Sequence, residues 1–294
     1  KYGPIENWDV SRVTSFAFIV GGENPFYDFL ATYQTTYSQF NRDLSGWDVS
    51  NGTDFQFMFF ECLAYNNAGV SLSGWDVSNS TGFGGMFSQA SEFVGVGVDS
   101  WNMSNATDIG FMFSGCELFN ININGWDTSN VTDMSGVFET TPAYNQPLNS
   151  WDVSKVTTMT EMFNCQIDGG IFNQPLSSWD TSNVIDMSFM FNNAESFNQD
   201  ISNFDFSSVV PTNDGFGNIY SAQRFLGIVS GGTDTSTAMS VANYSTLLIS
   251  MSSQTLNANV LFDAGDTQYS AGAAATARAT IVSTPWTVTD GGQA

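Results

Sequence analysis

The sequence predicts a β-rich solenoid of about eight coils, with short parallel strands and short helical turns, closed at its C-terminal end by a small α/β cap. Three observations predict it. A Trp-Asp or Trp-Asn start recurs at Trp8, Trp47, Trp75, Trp101, Trp126, Trp151 and Trp179, and Phe204-Asp205 stands in at the eighth place. The spacings are 39, 28, 26, 25, 25, 28 and 25 residues, and a period of roughly 20–50 residues marks a repeat array. Beyond Ser208 the rhythm stops and a segment of different pattern follows. The chain therefore divides into a repeat region over 1–210, a linker over 211–237 and an α/β capping module over 238–294.

Within each unit, apolar residues keep their offset from the Trp. Five residues on lie Val131, Val156 and Val184, and eight on lie Phe55, Phe83, Ile109, Met134, Met159 and Met187. Twelve on lie Phe59, Phe87, Phe113, Phe138, Phe163 and Phe191, and a later ring row runs through Tyr65, Phe93, Phe119, Tyr144, Phe172 and Phe197. Leu44, Leu72, Val98, Ile123, Leu148, Leu176 and Ile201 precede the next Trp or Phe204. One coil of 25 residues cannot bury five such rows alone, whereas stacked coils turn each row into a ladder. Burying one Phe- or Leu-sized side chain contributes roughly 1.5–3 kcal/mol.

The polar part repeats as well. Asp-x-Ser-Asn after the Trp is turn chemistry, because short polar side chains bond the backbone two or three residues on. Val-Thr-Asp-Met has β character. Met-Phe followed by small residues predicts a tight helical turn. Pro147 and Pro175 make the next extended piece irregular. Stacking places Asp127, Asp152 and Asp180 about 4.8 Å apart. Such a column is stabilised either by backbone N–H bonds to each carboxylate or by Ca²⁺ bridging them, and both readings stay open. Cys62, Cys116 and Cys165 share a slot with Ala90, Thr141 and Ala194, so they read as small buried thiols.

The first repeat carries about 14 extra residues between Gly21 and Thr36. Phe26, Tyr27, Phe29, Tyr33 and Tyr37 in and beside this insertion either fold over the open first coil or form a ligand-binding lip. Thr237 to Met251 reads as a helix, Asn257 to Phe262 as a strand, Ala271 to Val282 as a second helix, and Trp286-Thr-Val-Thr as a last strand. Ile5 already matches the row before a Trp, so the array opens in mid-coil, and Lys1 reads as the start of a mature or trimmed product.

Composition excludes several functions. Lys and Arg number 6 against 29 Asp and Glu, a net charge of −23, which repels nucleic acid and anionic membranes. Histidine is absent, which removes the commonest general base. No apolar run reaches membrane-spanning length. Paired carboxylates such as Asp48 and Asp54 are better explained by turns than by a hydrolase site, so no enzyme is expected.

The unit Trp179-Asp-Thr-Ser-Asn-Val-Ile-Asp-Met-Ser-Phe-Met-Phe191, with Ser196-Phe-Asn-Gln-Asp-Ile-Ser202, resembles the repeat of BspA-like leucine-rich-repeat surface proteins. The resemblance covers roughly 5–210, and the tail from Tyr269 looks like the module that follows such repeats. It implies an LRR-like solenoid, an extracellular or cell- or virion-surface location and adhesive or recognition duties, and it carries over no catalytic residue. The expected function is recognition of a host or partner protein or glycan. The alternative is a structural subunit of an extracellular filament, sheath or viral fibre or receptor-binding appendage, with a homo-oligomeric or neighbouring subunit at the N-terminal coil. The Asn-x-Thr sequons at Asn51, Asn79, Asn105 and Asn130 fall out of the repeat itself.

Overall fold

The computed structural model describes residues 3–20, 38–165, 169–213, 219–220, 225–226, 229–230, 233–234, 239–284 and 286–294. The repeats lie directly over one another. One parallel bridge per repeat links Ser15 to Asp54, Asp54 to Gly82, Gly82 to Asp108, Asp108 to Asp133, Asp133 to Thr158 and Thr158 to Asp186.

Regular strands and helices are nearly absent from these coils, and the backbone hydrogen bonds explain how that is possible. In the unit that starts at Trp101, Ile109, Phe111, Phe113 and Gly115 donate their N–H groups to Asp133, Ser135, Val137 and Glu139 of the next coil. The intervening Met112, Ser114 and Cys116 donate to the carbonyl three residues back in their own coil. Alternate amides thus serve the stack and the local turn, so the groups are paired without a continuous strand. The expected strands and helical turn are replaced here by successive turns. The reason is a left-handed residue ten positions after each Trp: Phe18, Phe57, Gly85, Phe111, Gly136, Glu161 and Phe189 all have φ between 54° and 61°. Positive φ interrupts both a strand and a right-handed helix.

Side chains form the expected columns. Trp75 stacks on Trp101 at 6.1 Å and Trp126 on Trp151 at 6.4 Å. Phe113 touches five rings: Phe119 at 3.9 Å, Phe87 at 5.9 Å, Trp126 at 6.0 Å, Phe138 at 6.2 Å and Phe93 at 6.5 Å. The row before each Trp has a second duty. Leu72 carbonyl accepts the Trp75 backbone N–H at 3.0 Å and the Trp101 Nε1–H, also at 3.0 Å. The same indole bond recurs from Trp47, Trp75, Trp126, Trp151 and Trp179. The Cys slot also bonds the coil below: Cys116 Sγ and Thr141 Oγ1 donate to the carbonyls of Phe87 and Phe113. All three cysteines are buried and none forms a disulfide, and burial pushes the Cys62 thiol up to about 12.

The two ends differ. Trp8 is 39% exposed, whereas the other six repeat tryptophans are 2–4% exposed. Trp8, Val10, Val13 and Ile19 line an open groove of about 570 Å³. At the other end the chain makes two short antiparallel pairs in the expected linker, β1 (Thr212–Asn213) with β2 (Ile219–Tyr220) and β3 (Val229–Ser230) with β4 (Thr233–Asp234). Two-residue strands carry too little alternation to be read from sequence.

The C-terminal module comprises helix α1 (Val241–Met251), strand β5 (Leu261–Asp263), helix α2 (Ala273–Ser283) and strand β6 (Thr287–Thr289). Strands β5 and β6 pair in parallel. Ser240 caps α1 by accepting from Asn243 N–H at 3.2 Å, and Tyr244, Leu247, Leu248 and Met251 are its buried face. Asp290 accepts from Tyr244 Oη at 3.0 Å and Arg278 Nε at 2.8 Å, joining the two helices to the turn after β6. The module seats on the last coil through side-chain amides. Gln254 accepts from Phe206 N–H at 2.7 Å and donates to Phe204 carbonyl at 2.9 Å, while Asn257 donates to the Ser207 and Val209 carbonyls. Phe206 meets Phe262 and Trp286 edge-on.

Candidate functional site

Two polar columns run along the side of the stack, and they differ in character. The first is the corner after each Trp. Asp127, Asp152 and Asp180 are exposed there, and each accepts the backbone N–H of the Ser two residues on, at 2.9–3.1 Å. These Ser hydrogen bonds hold the Asp127 and Asp152 carboxyls below their ordinary range. Asn51, Asn79, Asn105 and Asn130 complete the corner by donating Nδ2 to the Ser carbonyl of the preceding coil, at 2.7–2.8 Å. The atom to which a glycan would attach therefore serves the turn-to-turn contact. No group of three or more Asp, Glu, Cys or His side chains placed to hold a metal occurs among the described residues. The expected ligand-binding residues Phe26, Tyr27, Phe29, Tyr33 and Tyr37 lie outside the described residues.

The second column is the bridge face, which the periodic reading did not single out. The bridge position carries Asp54, Asp108, Asp133 and Asp186, separated by Gly82 and Thr158. Three residues further along each coil come the left-handed Phe18, Phe57, Phe111 and Phe189, separated by Gly85, Gly136 and Glu161. Phe111 is 37% exposed, and Phe18, Phe57 and Phe189 are half-buried.

Glycine and Phe alternate because the ring of one coil lies over the backbone of the next. A methyl group on Gly85 would meet the Phe57 ring at 2.4 Å, and one on Gly136 would meet the Phe111 ring at 2.3 Å. The carboxylates lean the same way: a methyl on Gly110 would sit 3.2 Å from Asp133 Oδ1 and 3.3 Å from Asp108 Oδ1. Burial raises the Asp108 carboxyl, with Asp133 and Asp54 adding repulsion, even though Gly110 N–H donates to it. Burial likewise raises Glu139 and Glu161, and Glu139 and Asp186 add to the effect on Glu161. Thr160, Glu161, Asp186, Ser188 and Phe189 line a pocket of about 310 Å³ on this face. The legible signal was the strict Phe-Gly-Phe-Gly order at Phe57, Gly85, Phe111 and Gly136.

A family model described as "Mycoplasma protein of unknown function, DUF285" matches residues 2–124, 85–168 and 112–229. The chain belongs to the DUF285 family. No curated protein and no solved structure matches it. The three DUF285 segments overlap, as a unit repeated in register allows, and together they span the stacked coils and stop before α1. The DUF285 match thus contains both polar columns.

Proposed function

We propose that this protein is an extracellular recognition protein that holds a partner protein or a glycan through the side of an LRR-like solenoid of the BspA-like kind. The observation that carries the reading is the row of partly exposed rings and carboxylates presented at regular intervals by coils in fixed register. Stacked repeats offer long, rigid surfaces of this type. The acidic balance directs the partner away from nucleic acid. No helix among the described residues is long and apolar enough to cross a membrane, and the reading places the chain on a cell or virion surface. It assigns no catalytic role. Ca²⁺ enters only as a ligand of the exposed Asp127, Asp152 and Asp180 corner.

A second reading, a subunit of an extracellular filament, sheath or fibre, draws on the open Trp8 end. Head-to-tail growth needs two complementary open ends, and the module seated on Phe204 and Phe206 occupies the other one. Recognition is therefore the preferred reading. Binding arrays of glycans and of surface proteins, run with and without Ca²⁺, test it. The expected result is a saturable partner, and no partner on either array would contradict it.

A further inference from the structure

The bridge face combines two features that a cationic partner satisfies together, an exposed ring and converging carboxylates. Phe111 is 37% exposed, while the half-buried Phe57 ring stacks on Phe18 at 5.0 Å. The carboxylates converge, with Asp108 and Asp133 both lying within 3.3 Å of one point above Gly110. The two features are neighbours, because Asp108 lies over Gly84 while the Phe57 ring lies over the adjoining Gly85.

Positive charge is scarce near this face. The one ion pair among the described residues is Arg278–Asp290, in the C-terminal module. Lys155 donates to Asn130 Oδ1 on the turn corner, and Arg12 lies by Asp9 at the first such corner. A sugar could stack on the rings and donate hydroxyls to the carboxylates, yet it brings no positive charge to offset their repulsion. An anionic ligand would be expelled. A guanidinium or ammonium group satisfies both features, since it packs against an aromatic face and forms charge-assisted bonds to carboxylates.

The face is also long and narrow. Six coil steps separate Phe18 from Phe189, on the order of 30 Å at the inter-strand spacing. That length suits an extended chain rather than a single small cation. The pocket lined by Glu161, Asp186 and Phe189 repeats the ring-and-carboxylate pairing further along the same face.

We propose that the bridge face binds an extended Lys/Arg-rich polypeptide segment, whose cationic side chains seat between the exposed Phe111 ring and the Asp108 and Asp133 carboxylates. The proposal rests on the recognition reading above and names the partner class and the face.

The test is fluorescence anisotropy of a labelled dodecapeptide of alternating Arg and Gly, titrated with the full chain at about 0.15 M salt, where long-range attraction is screened. Asp108→Asn with Asp133→Asn keeps the Oδ1 acceptors that Gly110 and Ser135 use. This pair of changes weakens binding about tenfold. Phe111→Asn, a residue type that tolerates left-handed backbone, weakens it about fivefold. Asp127→Asn with Asp152→Asn removes the same charge from the turn corner and changes affinity less than about twofold.

Equal weakening by both Asp pairs would overturn the proposal, because attraction would then follow net charge and not the face. Absence of peptide binding, with an oligosaccharide captured on the glycan array and lost in Phe111→Asn, would overturn the proposal and leave the recognition reading standing. Absence of any partner on peptide, protein and glycan arrays would overturn both.

Discussion

The stacked coils and the C-terminal module solve the same problem in opposite ways. In the module, helices α1 and α2 satisfy their amides locally, and β5 and β6 need one partner strand each. In the coils, alternate amides reach the next repeat, so no coil is complete alone. The module is held together by its own elements, and the stack by its interfaces. Regular secondary structure is therefore a poor measure of order in this molecule: a left-handed residue in each coil breaks every strand while the register between coils is kept. A second contrast lies within the stack, between inner coils covered on both sides and a first coil whose Trp8 faces solvent.

The sharpest way to break this comparison is to empty one ladder. Phe113→Ala removes a buried ring that touches five others and should cost about 3–5 kcal/mol. Trp8→Ala, at the open end, should cost under about 1 kcal/mol. Urea denaturation of both variants checks this, and similar losses would mean that the first coil is as covered as the rest.

The junction comes next. Gln254→Ala leaves Phe206 N–H and Phe204 carbonyl without their partner and should cost about 1–3 kcal/mol. Hydrogen exchange should rise in the last coil and in α1 together. Faster exchange confined to α1 would show the module opening independently of the stack.

Acid separates the two polar columns. Asp108, Glu139 and Glu161 sit above their ordinary values through burial. They bind protons more tightly when folded, so their protonation adds stability as pH falls from 7 toward 4.5, the ordinary Glu value. Asp48, Asp76, Asp127 and Asp152 sit below theirs through Ser hydrogen bonds. Their contribution is present above 3.8, the ordinary Asp value, and is lost as pH falls through the lowered folded values. Thermal midpoints should rise between pH 7 and 4.5 and fall below 3.8. A monotonic decline from neutrality would contradict the burial of the bridge-face carboxyls.

The smallest effect is expected at Tyr144, whose buried hydroxyl has no hydrogen-bond partner among the described residues, whereas Phe119 and Phe172 fill the same ring row with no hydroxyl. Tyr144→Phe should be neutral or stabilising by up to about 1 kcal/mol. A loss in thermal stability would point to an interaction of the hydroxyl.

Much of this arrangement was legible in the residues. Trp, Phe, Leu and Val columns follow from period and hydrophobicity, and Tyr244, Leu247, Leu248 and Met251 mark the α1 face directly. The backbone of the coils was not legible, because nothing in the residue type announces that Phe57 or Phe111 adopts positive φ. Bulky residues rarely do so, and only the glycines in the same column hint at it. The bridge face was missed for a related reason. Asp108 and Asp133 look like the turn aspartates, and only the close stacking of coils brings their carboxylates together.

The central claim is that each repeat lies in register on the next, and neighbouring exposed threonines test it most directly. Thr132 N–H donates to Thr107 carbonyl and Thr157 N–H to Thr132 carbonyl, each at 2.9 Å. Oxidation of a Thr132→Cys, Thr157→Cys double variant should give a disulfide, since Cα atoms about 5 Å apart permit one. The Thr107→Cys, Thr157→Cys pair, two coils or about 10 Å apart, should stay reduced. Equal cross-linking of both pairs, or of neither, would contradict the stacked arrangement.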